Sequence, residues 1–334
     1  MSMLHLPSNV LSHPPNESNN YFVSSRGLMK ICDLYSNTPY SSIKRLINYP
    51  NLDTIHGHNH NPSPMVPVRS KHPTIYICSS AINHFISVLL PIIDFSFILV
   101  SGDCDETIPY DIFQNSTELN NFINNHKIIH WFGQNMTIQH SKITSMPIGL
   151  DYHTMTGNDL WGGITSTHDQ EMLLQSIIKK SKPFWERPPK CYANFHFLMT
   201  TKYGYDRVDA LNNINKELVY YEPNKIIRFD TWNIQKEYAF VISPHGGGFD
   251  CHRTWEALVL GCIPIVKTSK IDVLYEDLPV LIVNNWSDVT SDLLKTTIEL
   301  YKTRTFNYEK LTLEYWKNKI AAYCMELKEN ETYS

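Results

Sequence analysis

The chain has 334 residues, enough for two ordinary domains or one large one. At 42% apolar and 19% charged it can build real cores and lacks the profile of a disordered protein. A formal charge of −4 gives no support for nucleic-acid binding through a broad basic surface. Seven scattered cysteines without a CxxC pair favour a reducing compartment and argue against a disulfide framework or a structural zinc site. The N-terminus, MSMLHLPSNVLSHPPNES, has no continuous apolar stretch of the signal-peptide kind. The most apolar run, FISVLLPIIDFSFILVSG, is broken by Pro91 and Asp94 and reads as helix then buried strand, not as a membrane span. The expected setting is therefore cytoplasmic.

Residues 1 to about 70 are rich in Asn, Ser, Pro and His and are expected to form an irregular arm. Its alternate histidines His56, His58 and His60 lack Cys or acidic partners for zinc. From Thr74 the pattern changes: TIYICSSA and FSFILVSG read as strands, with AINHFISVLLPII a helix interrupted near Pro91. ELNNFINNH reads as a helix, and KIIHWFGQN and ITSMPIGLD as two further strand-to-loop units. Strand–helix alternation predicts a parallel sheet with helices on its faces. A helix over 170–180 and the proline-bearing KPFWERPPK close this domain, drawn as 71–185. A second series over 186–334 follows. CYANFHFLM, AFVISP, IPIV and VLIVNN read as strands; DRVDALNNINKE, HRTWEALVLG, SDLLKTTIELYK and a terminal TLEYWKNKIAAYCMELK read as helices. The expected class is α/β, with two doubly wound Rossmann-like domains facing a central cleft.

The stretch FVISPHGGGFDCHRTWEALVLGCIPIVKTS, 240–269, carries the chemistry. A buried strand ends at Pro244, and Gly246, Gly247 and Gly248 permit positive φ and leave no side chain in the way. Asp250 reads as the N-cap of the next helix. Strand, glycine loop and helix N-terminus together form an anion site. His252 and Arg253 in the first helical turn oppose the helix dipole, at a cost of up to about 1 kcal/mol. Charge-assisted hydrogen bonds to a bound anion, about 1.5–3 kcal/mol each, outweigh that cost, and a diphosphate fits. Glu256, one turn on, offers a carboxylate for a ribose diol. Ser243 and His245 complete the loop; Asn194 alternates with apolar residues within the CYANFHFLM strand, Lys202 and Arg207 lie beyond its end, and all three are candidate donor contacts. Arg228 and Tyr238 are weaker ones.

SPHGGGFDCHRTWEALVLGCIPIV, continued by YEDLPVLIVNNWSDV, resembles the nucleotide-sugar-binding segment of GT-B glycosyltransferases, the exostosin-like group above all. The likeness is specific over about 55 residues; the N-terminal half is similar only in its α/β layout. The resemblance implies a nucleotide sugar, UDP-linked by expectation, held on the C-terminal domain. It also implies a glycan or glycoconjugate acceptor mainly on the N-terminal one. Transfer would be inverting, with no metal or other cofactor required. Arg253 would then stabilise the leaving diphosphate.

Several groups have the chemistry of a general base: Asp103, Asp105, Asp151 and His153. Sequence does not decide among them. Asp103-Cys-Asp105, just after an apolar strand, also has the DxD spacing by which GT-A glycosyltransferases hold Mn²⁺ or Mg²⁺. A metal-dependent transferase is thus the alternative, and a non-catalytic nucleotide- or sugar-binding protein a third. Trp131 in HWFGQN is a possible sugar platform, with a core position as its other reading.

Overall fold

In a computed structural model, which describes residues 17–35 and 72–330, the apolar runs become two all-parallel sheets. Most of the expected arm, with His56, His58 and His60, lies outside the described residues. The chain divides into two compact units.

The four-strand unit holds described residues 25–35, 72–147 and 314–330. Its strands β1 (Thr74–Cys78), β2 (Phe97–Gly102), β3 (Ile128–Gly133) and β4 (Ile143–Ser145) pair in the order β1-β2-β3-β4. β1 and β2 are buried along their whole length, so TIYIC and FILVSG need not alternate. Between them the helix Ile82–His84 runs on as a π-turn, Phe85–Leu89, and stops before Pro91, which has no N–H to continue it. Trp131 is 1% exposed; its indole N–H donates to Ser101 Oγ at 2.9 Å, and its ring meets Phe122 edge-on at 5.2 Å. It is a core residue, because both its ring and its polar tip are satisfied inside.

The five-strand unit holds described residues 17–24 and 148–313. Strands β5 (Cys191–Ala193), β6 (Val219–Tyr221), β7 (Phe240–Ile242), β8 (Ile263–Lys267) and β9 (Leu281–Val283) pair in the order β6-β5-β7-β8-β9. The order reverses at β5: the chain steps out to β6, then returns to lay β7 on the other side. In open parallel sheets, ligands bind beyond the carboxyl ends of the strands at such a reversal. The sequence reading misses β6, a three-residue edge strand with Tyr220 exposed. CYANFHFLM, expected as one strand, is strand only over Cys191–Ala193 and turns into a 3₁₀ helix at Phe195–Phe197. Two parallel sheets with intervening helices are compatible with Rossmann-like units.

The unit boundaries differ from 71–185 and 186–334. The chain changes unit at 24/25, 147/148 and 313/314, so the proline-bearing linker lies inside the five-strand unit and the terminal helix belongs with the other. Residues 17–24 are not loose. The buried Glu171 carboxylate accepts from Tyr21 N and Phe22 N, both at 2.9 Å, and Val23 N donates to Leu311 O at 2.9 Å. Leu150 N donates in turn to Val23 O at 2.8 Å. Gly149 sits against this segment with φ +65°, and a Cβ there would overlap the Val23 carbonyl. No helix among the described residues is long and apolar enough to cross a membrane.

Gly149→Ala is expected to lower unfolding stability by about 2 kcal/mol or more, from left-handed strain plus overlap. Urea denaturation followed by circular dichroism measures it.

Candidate functional site

Three strand ends converge at the order reversal. β5 delivers Asn194, β6 delivers Glu222, and β7 runs into the loop 243–250 and the helix His252–Val259. With the helix Arg228–Gln235 they enclose a cavity of about 250 Å³. Asp151, Asn194, Arg207, Glu222, Arg228, His252, Arg253 and Glu256 line it, together with Phe195, Phe197 and Trp161. All of these belong to the five-strand unit.

The glycine loop is held from behind. Asp206, 1% exposed, accepts from His245 N at 2.8 Å and from Trp286 Nε1 at 2.8 Å, and lies 3.0 Å from His245 Nδ1. Burial opposes its charge, but the His245 and Trp286 hydrogen bonds prevail and hold its carboxyl below the usual range. Arg207 then lies under the loop, donating from Nε to His245 O at 3.2 Å and from Nη1 to Leu198 O. A Cβ on Gly246 would overlap the Arg207 guanidinium. None of Gly246, Gly247 and Gly248 uses the positive φ that glycine permits. At Gly246 the missing side chain matters because it makes room for an arginine.

Several predicted donor contacts build the loop rather than line the cavity. Ser243 Oγ is hydrogen-bonded to Thr254 Oγ1 at 2.8 Å and buried. Cys251, not Asp250, is the N-cap, and no side chain caps the helix. Asp250 instead accepts from Ile148 N at 2.7 Å and Trp255 Nε1 at 2.8 Å. Burial pushes its carboxyl up to about 6. His245, Gly247 and Gly248 do not line the cavity either, nor does Lys202, which is exposed and lies 5.1 Å over the Tyr203 ring. Tyr238 stacks near Tyr220 outside the cavity.

Two kinds of arginine face the cavity. Arg228 is neutralised: its Nη2 is 2.9 Å from Asp151 Oδ2 and its Nε 3.7 Å from Glu256 Oε1. Burial would raise the Asp151 carboxyl, but His153, His252 and Arg228 together hold it well below the usual carboxylate range. Burial raises the Glu256 carboxyl, with Arg228 and His252 pulling the other way. Arg253 has no such partner. Its Nη1 donates to Pro244 O at 3.3 Å and its guanidinium lies 5.8 Å over the Phe195 ring. Burial, assisted by the Arg207 charge, pushes it down to about 10. Among the described residues no carboxylate lies within 4 Å of Arg253 or Arg207. Two mutually repelling guanidiniums lining one cavity favour an anion there.

His252 Nδ1 lies 2.8 Å from Gly149 O. A carbonyl only accepts, so Nδ1 carries the hydrogen. His153 Nδ1 is 3.3 Å from Asp151 Oδ1, and its ring centre is 6.2 Å from that of His252. In the four-strand unit, Asp103 is 5% exposed and lies 3.4 Å from Arg26 Nε, whereas Asp105 is exposed on the following loop. Among the described residues no three His, Cys, Asp or Glu side chains gather as metal ligands.

Sequence reasoning missed Glu222 and the cavity's aromatic wall; Arg228, a weaker candidate there, lines the cavity paired with Asp151 and Glu256. The signal for Glu222 was slight: an acid directly before Pro223 at the end of VYY. No protein-family model matches the chain, and no curated protein sequence matches it.

Arg228→Ala strands Asp151 and Glu256 as uncompensated buried charges and is expected to cost about 3–5 kcal/mol, read from urea midpoints. Asp250 has a folded pKa above its unfolded value of about 3.9. Its stabilisation is therefore complete below that pH and is lost as pH rises through about 6. Asp250→Asn is expected to remove a fall of about 2 kcal/mol between those limits. Unfolding of both proteins at pH 4, 5, 6 and 7 measures the difference.

Proposed function

We propose that the chain is a glycosyltransferase of the GT-B type, two Rossmann-like doubly wound units, acting on a nucleotide-diphosphate sugar. The observation that carries this reading is the pair Arg253 and Arg207, which line a cavity at the strand-order reversal with no carboxylate to neutralise them. A diphosphate supplies the missing charge and accepts several donors at once. The uncapped start of the helix His252–Val259 adds backbone N–H groups and a favourable dipole.

In the reaction the bond between the sugar C1 and the diphosphate oxygen breaks. The acceptor hydroxyl oxygen bonds to C1, and its proton passes to a base. Negative charge accumulates on the departing diphosphate, where Arg253 is placed to stabilise it. This electrostatic role is the one a divalent cation plays in metal-dependent transferases. His153, outside the cavity lining but 3.3 Å from the Asp151 carboxylate that lines it, is the base we favour among the candidates. Asp151 itself is too strongly held as the anion to take a proton near neutral pH. The acceptor is a glycan or glycoconjugate hydroxyl. Asp103, already paired with Arg26, is a weaker candidate for either base or metal ligand.

Arg253 makes a single hydrogen bond to the fold, so its removal tests the site with little structural damage. Calorimetry with UDP and GDP is expected to show binding to the wild-type chain, weakened about 10- to 100-fold by Arg253→Ala. Donor turnover is expected to continue in EDTA. Unchanged nucleotide binding in a folded Arg253→Ala protein overturns the assignment.

A further inference from the structure

One acid in the cavity has no counterpart in the chemistry above. Glu222 is 4% exposed, and its Oε2 is buried without a hydrogen-bond donor. Among the described residues no Lys or Arg lies within ion-pair distance of it. Its backbone is well fixed, since Glu222 N donates to Ala193 O at 2.9 Å and extends the β5–β6 pairing by one residue. A buried carboxylate oxygen with no donor is costly unless something supplies one.

We infer that Glu222 reads the base of the nucleotide and selects guanine. The inference rests on the nucleotide-sugar reading of the cavity. Position comes first. Neighbouring strands lie about 4.8 Å apart, so the end of β6 stands about 10 Å from the loop after β7 that carries the diphosphate site. A ribose and a base span that gap, the ribose at the end of β5 and the base at the end of β6. Phe197 and Trp161 line the same cavity and offer a ring for the base to stack on.

Chemistry decides which base. A carboxylate accepts at two oxygens and donates nothing. Guanine presents N1–H and the exocyclic N2 amine side by side, two donors matched to two acceptors. Uracil presents a single N3–H between two carbonyl oxygens, which the carboxylate repels. Adenine and cytosine each offer one amine beside a ring nitrogen that is itself an acceptor. Asn194, at the neighbouring strand end, has an amide N–H₂ to give to guanine O6. This departs from the UDP donor that the family resemblance suggests.

Calorimetry on the purified full chain with GDP, IDP and UDP tests the assignment. GDP is expected to bind about tenfold or more tighter than UDP, with IDP, which lacks the N2 amine, in between. Glu222→Gln keeps the shape and is expected to lose most of the GDP preference while leaving UDP binding within about twofold. Equal or tighter binding of UDP, with Arg253→Ala still weakening it, overturns the guanine assignment and leaves the diphosphate site standing. Equal weakening of all three nucleotides by Glu222→Gln puts the acid on the ribose and also overturns it. No nucleotide binding at all removes the diphosphate site itself.

Discussion

Everything in the five-strand unit turns on one electrostatic constraint: two guanidinium groups sit out of bulk water without an anion of their own. Desolvation penalises a cation steeply, and Arg253 responds by holding its proton less tightly than an ordinary arginine. Folding tolerates this because other interactions keep the loop in place. Asp206 grips His245, Asp250 grips Ile148 and Trp255, and Ser243 is tied to Thr254. The polar residues of the glycine loop are therefore mostly occupied in stabilising it, and the arginines are what they present.

Charge is divided with some economy in this small space. Arg228 sits between Asp151 and Glu256 and needs nothing further. That triad fixes Asp151, whose other carboxylate oxygen lies 3.3 Å from His153 Nδ1. On the other side, Glu222 is an acid without a base, as Arg253 is a base without an acid. The two lie at different strand ends of one cavity, too far apart to neutralise each other. The guanosine diphosphate conjugate proposed above, with an anionic end and a donor-rich end, would answer both.

The four-strand unit illustrates why a spacing pattern alone is weak evidence. Asp103 and Asp105 have the separation of a metal motif, yet the fold buries Asp103 against Arg26 and leaves Asp105 exposed. Residues two apart on a turn need not share a direction. Trp131 likewise had the chemistry of a sugar platform, but Ser101 takes its N–H and Phe122 its ring.

Sequence by itself determined the α/β class and most strands and helices, and it drew attention to the loop that borders the candidate cavity. Buried parallel strands are continuous apolar runs, and the string from Ser243 to Glu256 combines glycine, cation and acid within a few residues. It also singled out Arg253, Arg207, Asn194 and Glu256, all of which reach the cavity. Tertiary structure alone decided the unit boundaries, since burial of 17–24 against Glu171 depends on residues some 150 positions away. It likewise decided which polar residues are spent within the protein. Asp250 and Arg253 look equally available in a sequence, because local pattern carries no information about which partners the rest of the chain brings. Glu222 was barely legible for the same reason: that its Oε2 is buried without a donor shows only in the fold.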